Sequence, residues 1–150
     1  MNDRTHIPYN LELLFSYRLD FELPPEVIGP APAGLRVNFS FLGGGFSGPR
    51  LRGRIRPTGG DRLVVRPDGV ALLDMQGTFE TDGGALVSAA FPAMMDLGPD
   101  GYATLMRGEL APDGTSFRSV PRYETANQEL AWINRIQCFG LDFDTAEYFE

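Results

Sequence analysis

Two carboxylates and two sets of arginines are the residues of this chain best placed by type and spacing to do chemistry. Asp74, Gln76, Thr78 and Glu80 alternate with Leu73, Met75 and Phe79, which puts the polar and apolar residues on opposite faces of one strand. In a barrel wide enough to hold a ligand, one or two lumen carboxylates are the usual acid or base, so Asp74 is the first catalytic candidate. Glu124 is the second, because it shares a face with Arg118 and Arg122 in a segment that alternates charges with apolar groups. A Glu124 base beside Arg118 would move a proton and stabilise the negative charge left behind. Arg50, Arg52, Arg54 and Arg56 alternate with Leu51, Gly53 and Ile55. Facing a lumen, Arg50 and Arg52 would clamp an anion or enolate. Facing solvent, the same stripe would pair across strands with Asp74 and Glu80. Trp132, Asn134 and Ile136 share a face of the strand expected over 130–139. A flat wall beside one amide is what a cavity uses to orient a ring, and Tyr102 offers a second wall.

Other chemistry is poorly served. All 13 basic residues are arginines, which excludes a lysine Schiff base, a lysine-anchored pyridoxal phosphate and a Walker lysine. One histidine, His6, and one cysteine, Cys138, leave no Ser-His-Asp triad, multi-histidine metal site or intramolecular disulfide. No acidic loop has the spacing of a calcium site, so neither metal nor cofactor is expected. Gly43, Gly45 and Gly48 match the spacing of a dinucleotide fingerprint. That motif must open a helix, whereas Pro49 and an alternating Arg/Leu run follow here. A β-bulge or barrel corner is the simpler account. The formal net charge of -7 disfavours nucleic acid and anionic membrane as partners. The polar first ten residues and the lack of a run near ~20 apolar residues point to a cytoplasmic protein.

The elements that would position these residues are mostly short strands. Eighteen glycines and twelve prolines suit strands joined by tight turns better than a helical bundle. Alternation marks strands over 11–23, 35–42, 50–56, 63–66, 70–81, 85–91, 117–124 and 130–139, with a final piece near 146–149. Residues 24–34 read as an extended connection, and 57–61, 67–69, 82–84 and 112–114 as turns. A weak three-four spacing through Tyr102, Leu105 and Met106 predicts one short helix near 99–108. Together these give an all-β chain: a single antiparallel β-barrel domain over residues 1–150, with an apolar outer stripe that favours a homo-oligomer.

The segment Gly44-Gly45-Phe46-Ser47-Gly48-Pro49-Arg50-Leu51-Arg52-Gly53 resembles the hallmark of the domain-of-unknown-function 3237 family. Further pieces follow in order: Gly59-Gly60-Asp61, Arg66-Pro67-Asp68-Gly69, Leu73-Asp74, Thr81-Asp82-Gly83, and Ala131-Trp132-Ile133-Asn134-Arg135. The resemblance covers nearly the whole chain. It departs at Arg62, where the family commonly has Trp, and at Gln76, where a basic residue is frequent. The resemblance implies a small antiparallel barrel similar in shape to allene oxide cyclase and dirigent barrels, and no particular activity.

Two functions fit. One is a cofactor-independent cyclase, isomerase or hydro-lyase acting on a hydrophobic, aromatic or polyketide-like small molecule. Asp74 or Glu124 would move the proton, Arg52 or Arg118 would stabilise charge, and Trp132, Asn134, Tyr102 and Arg50 would hold the substrate. The alternative is a non-catalytic barrel that binds such a molecule. Their difference lies in whether a titrating carboxylate faces inward.

Overall fold

The computed structural model describes residues 8–110 and 115–141. Its strands are β1 (Ser16–Phe21), β2 (Glu26–Ala31), β3 (Gly34–Ser47), β4 (Arg52–Val65), β5 (Val70–Thr81), β6 (Leu86–Asp96), β7 (Ser116–Ser119), β8 (Arg122–Thr125) and β9 (Gly140–Leu141). Helix α1 (Gly101–Met106) lies between β6 and β7, and a 3-10 helix (Ala131–Arg135) precedes β9. All strands pair antiparallel in one sheet along the path β1-β3-β4-β5-β6-β7-β9. Strand β2 shares an edge of β3 with β1, and β8 shares an edge of β6 with β7.

The expected all-β antiparallel barrel is present as a curled half-barrel. Among the described residues, β1 pairs only with β3, and aromatic rings span the remaining gap. Tyr17 of β1 stacks on Phe91 of β6 with centroids 5.6 Å apart, and Phe15 meets the edge of Tyr123 in β8 at 5.5 Å. Such ring pairs contribute roughly 0.5–1.5 kcal/mol each beyond the area they bury.

Alternation decides which face is inside. Val37 and Phe39 on β3, Leu63 and Val65 on β4, and Met75 and Phe79 on β5 are all buried. They fall into two apolar clusters, one around Phe79 and Phe91, the other around Leu35 and Val65. The curl that encloses these clusters comes from breaks in register. The β3–β4 pairing shifts between Ser40 and Gly44, and the β4–β5 pairing shifts between Ile55 and Gly59. Extra residues on one strand of a pair bend it and raise its twist.

Glycine is required at both bends. Gly44 has φ +153°, and a Cβ there would collide with the carbonyl oxygen of Arg18. Gly59 has φ +91°, and a Cβ there would collide with the carbonyl oxygen of Gln76. The Gly-rich segment is therefore a bent strand with no helix after it, as Pro49 implied.

Several boundaries differ from the sequence reading. Residues 57–61 are strand, because the bulge absorbs Pro57 without ending β4. Residues 26–31, expected to be plain connection, pair with β3 as β2. The expected strand over 117–124 is split at Val120-Pro121 into β7 and β8, since proline has no N–H for the ladder. Residues 131–135 form a 3-10 helix in place of the expected strand. The short helix lies inside its expected span. The expected pieces at 112–114 and 146–149 lie outside the described residues. Among the described residues, no helix is long and apolar enough to cross a membrane.

Replacing Gly59 by Ala should destabilise the protein by roughly 2–4 kcal/mol through strain and collision at a packed backbone. Gly83, whose added Cβ would come no closer than 3.9 Å to Thr81, should tolerate Ala within about 0.5 kcal/mol. Urea unfolding of both variants measures the contrast.

Candidate active site

The Gly59-Gly60 step delivers Asp61 to the concave face. It follows the bulge in β4 and alternates with Leu63 and Val65, so its side chain enters the apolar side of the sheet. Its cross-strand neighbours are Phe39 on β3 and Met75 on β5. Asp61 is only 3% exposed, and its Oδ1 accepts the backbone N–H of Asp74 at 2.9 Å.

Burial pushes the Asp61 carboxyl from its ordinary 3.8 up to about 7. The Asp74 N–H, which favours the ionised form, opposes that rise, while the Asp74 charge adds to it. A carboxyl poised near neutrality can both give and take a proton at working pH. Asp61 is the buried carboxylate that the alternation on β4 could have revealed. Reading residues 57–61 as a turn concealed it.

The residues singled out from the sequence are placed elsewhere. Asp74 lies on the convex face, exposed to solvent, and touches Asp61 through its backbone. This corrects its assignment to the lumen: the interior takes the apolar face of β5, and the carboxylates of the other face stay hydrated. Glu124 is also exposed, on β8. It sits opposite Ser88, whereas Asp74 sits opposite Pro92, so the two are about 13 Å apart along β6 and cannot act as a pair.

The arginine stripe follows the plainer account. Arg52 pairs with Asp82 at 3.3 Å, while Arg54 and Arg56 reach Glu80 at 2.9 and 3.7 Å. Such exposed pairs contribute about 0–1 kcal/mol. Arg50 pairs with Glu12 at 2.8 Å, and its guanidinium lies 4.2 Å from the Trp132 ring centroid. Arg50 and Arg52 line a groove of about 330 Å³ at this end of the half-barrel, and Trp132 meets Arg50 beside it, so two of the expected residues share the groove and a third touches one of them.

Asn134 serves the backbone. Its Oδ1 accepts the Thr125 N–H at 2.8 Å, and its Nδ2 donates to the Thr125 carbonyl at 3.0 Å, which fixes the 3-10 helix against β8. Tyr102 packs half-buried against the cluster around Leu35 and Val65. Arg118 is exposed and lines a second groove, on the far side of β6 from Asp74. Among the described residues, no group of three or more His, Cys, Asp or Glu side chains could hold a metal.

The family model described as "Protein of unknown function (DUF3237)" matches residues 9–144. The chain belongs to this family. It is 33% identical over 107 residues to the UPF0311 protein RPA1785 of Rhodopseudomonas palustris, covering 70% of this chain and 69% of that one. A crystal structure of a β-barrel-like protein from Acinetobacter baumannii superposes with a TM-score of 0.78 at 28% identity, covering 93% of this chain and 90% of that one. A Penicillium herquei protein called an enzyme shares the fold at a TM-score of 0.66 and 20% identity, covering 91% of this chain and 85% of that one. The DUF3237 fold thus agrees with the resemblance drawn from the Gly-Pro-Arg-Leu-Arg-Gly and Trp-Ile-Asn-Arg segments.

The pH dependence of stability follows from Asp61. Its folded-state affinity for a proton exceeds that of an unfolded aspartate, so its protonated form favours folding. That contribution is complete below pH 3.8 and is lost as pH rises through about 7. The ionised form in the fold costs on the order of 4 kcal/mol as an upper figure. Unfolding free energy of the wild type should therefore fall between pH 4 and 7, relative to Asp61→Asn. Above pH 7, Asp61→Asn should be the more stable protein by about 1–3 kcal/mol.

Proposed function

We propose that this DUF3237 protein is a cofactor-independent enzyme that moves a proton on a hydrophobic small molecule, in a cyclase, isomerase or hydro-lyase reaction. Asp61 is its acid or base. The single observation that carries this reading is a carboxyl held in the apolar concavity and poised near neutrality. Maintaining it there works against stability at working pH, a cost typical of groups kept for chemistry.

In this reading Asp61 takes a proton when ionised and returns it when protonated, so no second carboxylate is needed. Phe39, the cross-strand neighbour of Asp61, and Phe41 pack on Phe21 with centroids 5.5 and 5.7 Å away and form an aromatic wall that begins beside the carboxyl. They favour a substrate with an apolar ring system and keep the proton transfer out of water. Asp74 has a positioning role: its N–H orients the carboxyl and its charge keeps the proton on it. Glu124, Arg52 and Arg118 have no part in the step.

A second reading is a non-catalytic small-molecule-binding barrel, and one observation favours it. The Asp61 carboxyl already accepts the Asp74 N–H, as a purely structural aspartate would.

Deuterium exchange at the benzylic carbon of 2-tetralone in D₂O, followed by proton NMR, separates the two. The wild type should accelerate exchange over buffer, with a rate that rises with pH through about 7. Asp61→Asn should lose roughly 10²-fold or more of the rate with its circular dichroism unchanged. Asp74→Asn should keep the activity and move the midpoint of the profile downward. If Asp61→Asn exchanges as fast as the wild type, the proton-transfer reading is wrong. Binding of tetralone with no exchange by the wild type would favour the non-catalytic barrel.

A further inference from the structure

Three polar side chains are buried among the described residues: Asp61, Ser119 and Thr125. Thr125 Oγ1 donates to the Leu86 carbonyl at 2.8 Å, and Asp61 accepts the Asp74 N–H at 2.9 Å. Ser119 differs from both. It is 4% exposed, and its Oγ has no hydrogen-bond partner among the described residues. Buried hydroxyls nearly always find a partner, and one left open among apolar groups is where the polar atom of a ligand fits.

Register puts that hydroxyl on the inner face. Along β7, exposed Ser116 and Arg118 alternate with half-buried Phe117 and buried Ser119, and Phe117 packs against the cluster around Phe79 and Phe91. Cross-strand pairing continues the row from Ser119 to Ala93 on β6 and Leu73 on β5. The neighbouring row on the same face runs from Phe91 through Met75 to Asp61 on β4. Three strand spacings separate β4 from β7, about 14 Å along the sheet, and the curl turns inner-face side chains toward one another.

The inner face is also less covered here. Val65, Phe79 and Phe91 are buried, whereas Leu73, Ala93 and Phe117, like Leu19 and Phe21 of β1, are only half-buried. Among the described residues no strand pairing joins β1 to β7. The two cross-strand neighbours of Ser119 are Ala93 and Gly140, which have little or no side chain. A Cβ on Gly140 would collide with Ser119 Oγ, so the glycine keeps the space around the hydroxyl.

Resting on the reading of Asp61 as the group that moves the proton, we propose that Ser119 anchors the substrate by an oxygen remote from the reacting carbon. The ligand class this fits is a fused-ring ketone with a second oxygen, a carbonyl or a phenol, at the far end of its rings. The Ser119 hydroxyl donates to that oxygen or accepts from it, and it exchanges no proton with the substrate. The ring body lies over Leu73 and Ala93, and the carbon that loses its proton meets Asp61. A single ring is too short to reach both groups, whereas two or three fused rings suit the span. Ser119 thereby sets which carbon faces the carboxyl.

6-Hydroxy-2-tetralone has such an oxygen and 2-tetralone lacks it, so NMR titration of the full-length protein with each tests the anchor. The wild type should bind the hydroxy ketone about 10-fold more tightly. Ser119→Ala should weaken the hydroxy ketone by about 10-fold and leave 2-tetralone unchanged. In deuterium exchange the same variant should raise KM for the hydroxy ketone and keep kcat, a split that loosening of the fold would not give. Ala93→Leu, which fills the space beside the hydroxyl, should weaken both ketones by roughly 10-fold with circular dichroism unchanged. Asp61→Asn should lose exchange and keep the preference for the hydroxy ketone. Equal binding of the two ketones by the wild type, or a preference that survives Ser119→Ala, would overturn the anchor and leave Asp61 untouched. A hydrogen bond in the free protein from Ser119 to any of residues 111–114 or 142–150 would also overturn it. A preference lost in Ser119→Ala, with no exchange by the wild type, would support the anchor and remove the proton-transfer reading alone.

Discussion

The curl of the sheet depends on close backbone approach at two points. Gly44 lies against the Arg18 carbonyl and Gly59 against the Gln76 carbonyl, each in a conformation that side chains disfavour. Beside them β3 gains a residue relative to β1 and β4 gains residues relative to β5, so the strands bend and wrap the apolar face inward. Without the bends the sheet would be open, with Phe79 and Phe91 on a flat wet surface. With them, the aromatic side chains meet across the gap between β1 and the β6–β8 side. One local constraint, room for a backbone and none for a Cβ, thus underlies both the core and the enclosure.

The same constraint places the buried carboxyl. The residue after Gly59-Gly60 is an aspartate where alternation demands an apolar side chain, between strands that carry Phe39 and Met75. Its Oδ1 accepts a backbone N–H, and among the described residues no arginine neutralises it. Desolvation therefore dominates and holds the carboxyl near neutrality. Exposed carboxylates such as Asp74 and Glu124 experience no comparable environment.

Much of this was legible in the sequence. Alternation located β5 almost to the residue, the Asp-Gly turn located the hairpin to β6, and Arg54, Arg56 and Glu80 pair across strands as their spacing allows. The failure lay in the step from face to lumen. Alternation leaves open which face of β5 lines the lumen, and the catalytic reading of Asp74 needs the polar face inside, where Asp74, Gln76 and Glu80 would all require partners. Pro57 and the glycines around it imitate a turn, because local chemistry does not distinguish a turn from a bulge within a continuing strand. That likeness hid Asp61. The 3-10 helix over 131–135 was hidden for a related reason: Asn134 stabilises it through Thr125, a contact that local spacing does not encode.

Among the described residues, Asp61 is the one carboxyl that the concave face buries, and its proton is poised near neutrality. Titration of the Asp61 side-chain carboxyl carbon by NMR, between pH 3 and 9, tests it most directly. A midpoint near 7, moving downward in Asp74→Asn, is the result this account predicts. A midpoint near 4 would contradict it, because the carboxyl would then be ionised and inert as an acid throughout the working range.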